Sequence, residues 1–218
     1  MPDHADSPDY DQTFPPELEL ALAHTAAPLR ARLAAVFALD QRLGRIVSAT
    51  TEPMLGQMRL AWWRDMLGTD ASDRPKGDAV LDTIGANWAD EETPLIQLVD
   101  AWELFVVAEK LTAERLVTFA EGRSAPLNHI APMETGDSSA GLAWALADAA
   151  ARISDEGERA VLIETGLRLA RAKNSRPRHL KGIGVLDALA IRALTRGGRP
   201  LMEGRGASLT ALRAALFG

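Results

Sequence analysis

The chain has 218 residues, 47% of them apolar, a net charge of −6 and no cysteine. A domain of this length buries about 70–75% of its unfolded surface and needs no covalent staple, while the missing cysteines exclude disulfides, thiolate catalysis and cysteine-ligated zinc. No apolar run approaches the length of a membrane span and the first residues lack a basic and then apolar leader, so a soluble cytoplasmic protein is expected.

Residues 1–16 carry Asp3, Asp6, Asp9 and Asp11 with no Lys or Arg, which predicts a disordered acidic tail and leaves 17–218 as the folded domain. A short helix over Glu17–Thr25 precedes a longer one that starts at Pro28. In that second helix Leu29, Leu33, Val36, Leu43 and Val47 make one apolar stripe that also contains Asp40. A carboxylate there must be paired, hydrogen-bonded or turned toward a wet cavity. A partner such as Arg30 or Arg59, or a partly exposed edge of the stripe, is the favoured account, and a functional cavity acid is the alternative.

Pro53 suits the first turn of the next helix, with Thr50 or Thr51 as its cap. Leu55, Met58, Trp62 and Met66 share one face of it, and that face is expected to be core. Residues 68–78 are turn chemistry. Val80, Leu81, Ile84 and Trp88 then predict a short helix, and Leu95, Leu98, Val99, Trp102, Phe105 and Val106 the strongest stripe of the chain, with Pro94 in its first turn. All five Trp fit a core role.

Thr112 caps a segment expected to stop at Gly122. Residues 123–140, with Pro126, Pro132 and Gly136, read as a loop or broken helix in which His129 is structural. Two Ala-rich helices follow, over Gly141–Ala151 and Asp155–Ala172. Gly182 and Gly184 punctuate before a helix at Val185–Leu194, and Ser208 caps a last one with Leu209, Leu212 and Leu216 on one face. No strand-like alternation occurs, so the fold class is all-α, a single-domain helical bundle.

Charge is unevenly distributed. Residues 166–218 hold eleven Lys/Arg and two acids, a local charge of +9, against −15 for residues 1–165. Within them Arg168, Arg171, Lys173, Arg176 and Arg178 form a candidate anion-binding segment, for diphosphate, anionic lipid or an acidic partner. Packing against the acidic first half is the alternative. The acidic total and the lack of interleaved aromatics argue against nucleic acid. There is no phosphate-binding Gly-rich loop, no His-Glu-x-x-His and no nucleophile elbow, and the four His do not assemble a metal site by their spacing.

Phe37-Ala-Leu-Asp-Gln-Arg-Leu-Gly-Arg-Ile46, followed by Glu52-Pro-Met-Leu-Gly-Gln-Met-Arg-Leu-Ala-Trp-Trp-Arg-Asp-Met-Leu67, resembles the squalene/phytoene synthase family. The Pro-x-Leu-Gly and Arg-Leu-x-Trp-Trp-Arg-Asp wording is most similar to its divergent branch, which includes a mitochondrial complex I assembly factor. Fainter echoes occur at Thr118–Leu127 and Gly141–Leu146. The resemblance implies a bundle of the isoprenoid synthase type, here shortened, whose helices surround a central cavity. Active members carry two Asp-rich motifs that hold magnesium ions on the substrate diphosphate, because a departing diphosphate needs hard divalent cations to neutralise its charge. Aligning Phe37-Ala-Leu with the family's Tyr-Ala-Phe places Gly44, Arg45 and Ser48 where the first motif has Asp, and no second cluster follows.

The expectation is therefore a family fold without its metal chemistry. Arg30, Asp40, Gly44, Arg45, Ser48, Arg59 and Trp62 are the candidate cavity residues, with no catalytic residue, no metal ligand and no cofactor assigned. The favoured function is a non-catalytic binding or assembly protein with a prenyl or anionic lipid ligand, a protein partner or a peripheral contact with the inner membrane. The alternative is a prenyl transferase that condenses isoprenoid diphosphates in terpenoid biosynthesis, the one case that calls for magnesium.

Overall fold

The longest helix, α2 (Ala27–Ala49), is the one that most of the first half packs against. In the computed structural model, which describes residues 13–130, 139–171 and 181–217, its middle from Leu33 to Leu43 is buried on nearly every side, Asp40 included. A helix enclosed in this way needs neighbours all round. They are α1 (Pro16–Ala23), α3 (Pro53–Gly68), α4 (Ala79–Asn87), α5 (Thr93–Val107) and α6 (Ala113–Ile130). A second enclosed helix, α7 (Leu142–Arg152), is buried continuously from Ala143 to Ala150 and sits among α6, α8 (Glu156–Arg171) and α9 (Lys181–Thr195). The final helix, α10 (Gly206–Phe217), lies along α9. The protein is all-α and forms one domain, with no strand among the described residues.

Local chemistry accounts for most boundaries. Proline occupies the first turn of α1, α2, α3 and α5, where its missing N–H costs nothing. The Asp78 carboxylate accepts from the Val80 and Leu81 amides and caps α4, and Asp155 accepts from Glu158 N at the start of α8. Arg74 closes the α3–α4 loop: it donates to the carbonyls of Leu67 and Thr69 at the end of α3 and pairs with Glu92 while almost wholly buried. Thr112 accepts from Arg115 N, as expected for the start of α6.

Several expectations need correction. Neither Thr50 nor Thr51 caps α3: the residue before the helix is Glu52, and the Thr50 hydroxyl donates back to the Ile46 carbonyl. The buried side of α3 is Gly56, Leu60, Trp63 and Leu67, while Met54, Leu55, Met58 and Trp62 face outward, so four of the five Trp are core and Trp62 is not. The helix has two adjacent apolar stripes of the same three- and four-residue spacing, and the one with Gly56 faces the core. Gly122 does not end α6. It lies where α6 crosses α5, and a Cβ there would press on the Gln97 carbonyl at 2.8 Å and on Ala101 at 3.0 Å, so glycine permits the close approach. The helix continues through Pro126 to Ile130, over ground expected to be loop.

Gly182 and Gly184 likewise lie inside α9 and do not precede it. The acidic tail falls largely outside the described residues, but Phe14 packs edge-on against Phe37 at 6.3 Å and α1 already begins at Pro16, so the packed domain starts before residue 17. Pro132, Met133 and Gly136 lie outside the described residues.

At Gly182 the chain meets the end of α1. A Cβ there would overlap the Ala21 carbonyl oxygen and the Thr25 hydroxyl, which itself donates to that carbonyl. Overpacking of a rigid backbone contact typically costs 1–3 kcal/mol and sometimes more. Gly182→Ala is therefore expected to lower the unfolding free energy by about 2–3 kcal/mol in urea titration. Gly68→Ala, at a position with open space around it, is expected to be neutral or slightly stabilising. Equal effects of the two substitutions would contradict the packing described.

Candidate functional site

Three charged side chains meet at the centre of the molecule, each from a different helix. Asp40 comes from α2, Arg123 from α6 and Asp148 from α7. Arg123 is 1% exposed and Asp40 1% exposed, so neither charge is solvated and each must be satisfied by protein. The guanidinium binds the Asp40 carboxylate in a fork, Nε to Oδ1 at 2.8 Å and Nη2 to Oδ2 at 2.7 Å. The same Nη2 donates to Asp148 Oδ2 at 2.7 Å, and Nη1 donates to the Ala145 carbonyl of α7 at 3.0 Å. Trp102 Nε1 supplies the remaining bond to Asp40 Oδ1 at 2.9 Å, and Arg152 covers Asp148 Oδ1 from one turn further along α7.

Aromatic rings line the guanidinium plane. Its carbon lies 4.4 Å from the Trp144 ring centroid, 4.8 Å from Trp102 and 5.7 Å from Phe119, all within cation–π range. Electrostatics follow from this geometry. Burial opposes the charge on Arg123, but Asp40 and Asp148 together hold it more firmly protonated than a free arginine. Burial pushes the Asp148 carboxyl up, and the attraction of Arg123 and Arg152 outweighs that, leaving it below the usual carboxylate range.

The expected cavity is thus occupied by side chains. Among its seven candidate residues only Asp40 is buried in this cluster, with Gly44 beside it: a Cβ on Gly44 would come within 3.2 Å of the Trp102 indole, which fills the space instead. Asp40 is paired, but Arg30 and Arg59 are not the partners. Arg30 donates to the Leu22 and Thr25 carbonyls at the end of α1, and Arg59 is exposed on α3. Arg45, Ser48 and Trp62 are also on the outer surface. The Asp40 donor set does not fit a magnesium ion, because both of its oxygens already accept from Arg123 and one also from Trp102.

Of the anion-binding candidates, Arg168 and Arg171 are exposed near the end of α8, while Lys173, Arg176 and Arg178 lie outside the described residues. Arg168 reaches the neighbourhood of Glu114, whose carboxyl is held low by its own backbone bond first, then by the Thr112 hydroxyl, with Arg168 adding to these. His129 sits at the surface, 2.7 Å from Glu91 and stacked on Trp88, whose other neighbour Arg32 pairs with the same Glu91 at 2.7 Å. An outward groove of about 400 Å³ between α5 and α6 is lined by Gln97, Asp100, Ala101, Leu104, Thr118, Glu121 and Gly122, a largely apolar wall with two acids and no cation to receive a diphosphate. No helix among the described residues is long and apolar enough to cross a membrane.

The sequence reasoning missed Arg123, Asp148, Trp102 and Trp144 as a cluster. The signal was present: Leu116, Phe119, Arg123, Leu127 and Ile130 share one helical stripe, and Asp148 is the single acid in an Ala-rich helix whose other charged residue is Arg152 at its end. Comparison with known proteins found no matching family model, no matching curated protein and no matching solved structure.

Removing one partner of a buried ion pair costs about 3–5 kcal/mol, whereas replacing the pair by apolar groups of similar volume is close to neutral. Arg123→Met is expected to lose about that much, leaving Asp40 buried and unpaired, and Asp40→Leu/Arg123→Met to recover a large part of it. Urea unfolding of the four proteins of this cycle measures the coupling, and additive losses would rule it out.

Asp148 fixes the sign of an acid effect. Its folded pKa lies below the unfolded value of about 4, so it contributes stability above pH 4 that is lost as pH falls from there through the folded value. Glu17, raised mainly by burial, titrates in the opposite sense. The urea midpoint of Asp148→Asn is therefore expected to fall less steeply below about pH 4 than that of the parent protein. Parallel curves would remove Asp148 as the source.

Proposed function

We propose that the chain is a squalene/phytoene synthase-like protein of the isoprenoid synthase type that lacks the Asp-rich magnesium-diphosphate motifs and works as a non-catalytic binding or assembly protein. The observation that carries this reading is the state of Asp40. In the stretch that resembles the family's first motif helix it is the one buried acid, and its oxygens are committed to Arg123 and Trp102. A catalyst of this class must instead point free carboxylates at a metal that neutralises the leaving diphosphate. Positions 44, 45 and 48 supply a glycine against an indole, an outward arginine and an outward serine.

What remains for function is the outer surface. Met54, Leu55, Met58 and Trp62 form an exposed apolar stripe on α3 within the same family-like stretch. Methionine and tryptophan suit a protein contact, the first because it adapts to its partner and the second because it brings large area at little entropic cost. Binding through that stripe in the cytoplasm, with a respiratory or membrane assembly as the setting, is the role proposed.

Incubation with farnesyl or geranylgeranyl diphosphate and magnesium, with assay for pyrophosphate and hydrocarbon, tests the non-catalytic part. No release above the protein-free rate is expected. Turnover would make the chain a prenyl transferase with displaced ligands and overturn the proposal.

A further inference from the structure

The outer face of α10 is apolar where a surface helix is ordinarily polar. Leu209, Leu212 and Leu216 are 64%, 56% and 62% exposed, while Ala207, Ala211, Ala214 and Ala215 on the opposite face are buried along α9. At 100° per residue the three leucines fall within one narrow stripe and the four alanines about half a turn away. The helix turns its small side chains inward and its large ones outward, the reverse of what burial alone would select.

The charge that the chain carries around this stripe is mostly positive. From Ala188 to Phe217 the chain carries Arg192, Arg196, Arg199, Arg205 and Arg213 against the single acid Glu203. Arg205 and Arg213 are exposed at the start of α10 and beside the leucine stripe, and Arg196 is exposed at the end of α9. The exposed stripe on α3 differs, since Glu52, Arg59 and Asp65 give it mixed charge. A protein of net charge −6 that places Arg205 and Arg213 beside one apolar helix face presents there a surface complementary to one that is flat, apolar below and anionic above.

We propose that α10 is an in-plane membrane-binding helix, which inserts Leu209, Leu212 and Leu216 at the level of the acyl chains and places Arg205 and Arg213 among anionic phosphates. A helix with apolar and cationic residues on its outer side lies in the interface and does not cross it. Three leucines give a reversible contact that depends on the added charge, because each Lys or Arg near an anionic surface attracts it and the attraction is screened within about a Debye length. The inference does not rest on the family reading, and its failure leaves the pyrophosphate result untouched.

Flotation of the full chain with vesicles of phosphatidylcholine alone, and of phosphatidylcholine with about three-tenths phosphatidylglycerol, provides the test. Recovery is expected with the anionic vesicles only and is expected to fall with added salt. Each of Leu209→Gln, Leu212→Gln and Leu216→Gln should lower partitioning about tenfold, and Arg205→Glu/Arg213→Glu should abolish the preference for anionic lipid. Glutamine is a good helix former at an exposed site, so an unchanged circular dichroism spectrum separates lost binding from lost fold.

Val107→Gln, at an exposed apolar residue at the end of α5 and outside both stripes, serves as the control and should float like the parent. Equal recovery with neutral vesicles would overturn the proposal. Anionic binding insensitive to the three leucine substitutions would assign the contact to the other basic segment and also overturn it. Absence of flotation, together with sedimentation as a dimer that the leucine substitutions dissociate, would make the face a self-interface instead.

Discussion

Two enclosed helices, α2 and α7, are held to the same guanidinium. Arg123 on α6 places one fork on Asp40 and a third bond on Asp148, with its remaining nitrogen on a carbonyl of α7. Leu, Phe and Ala side chains around it are interchangeable in direction, since apolar contact is non-directional. The ion pair is not: it accepts one orientation and one register for each of the three helices. Buried ion pairs add little net stability compared with an apolar replacement, so the contribution here is best seen as selection among packings.

The same arrangement explains why the middle of the protein is closed. A helical bundle with a ligand cavity keeps polar groups unsatisfied toward its lumen. Here the rings of Trp102, Trp144 and Phe119 lie around the guanidinium, Gly44 makes room for the Trp102 indole, and Phe37 meets Trp144 with ring centroids 5.9 Å apart. Large aromatics filled the space that side chains around a substrate would leave open. Exposed apolar area lies on the outside, where stripes on α3 and α10 differ in the charge around them.

Helix existence was legible from periodicity and proline placement throughout, because α1 to α5 each carry a clean start signal. Which face goes inward was not legible where a helix has two apolar stripes. On α3 the stripes Leu55–Met58–Trp62 and Gly56–Leu60–Trp63–Leu67 have the same three- and four-residue spacing, but the glycine allows Val106 of α5 to approach, and packing follows close approach more than hydrophobicity. Glycine misled in the same way at 122 and 182, where it marks a helix crossing and not a break. Asp40 could be identified as a buried acid from its stripe alone. Its partner lay 83 positions away in a segment whose Gly122 and Pro126 read as loop, and pairing at that distance is a property of the fold.

The two bonds of Arg123 also differ in how far they reach along the chain. Asp148 is 25 positions from Arg123 and Asp40 is 83. Closing the longer loop from an unfolded chain costs about 1 kcal/mol more in entropy, since the cost grows with the logarithm of length. Chain entropy thus favours the bond of Arg123 to α7 over its fork on α2, so the centre of the molecule depends most on the contact that is harder to close.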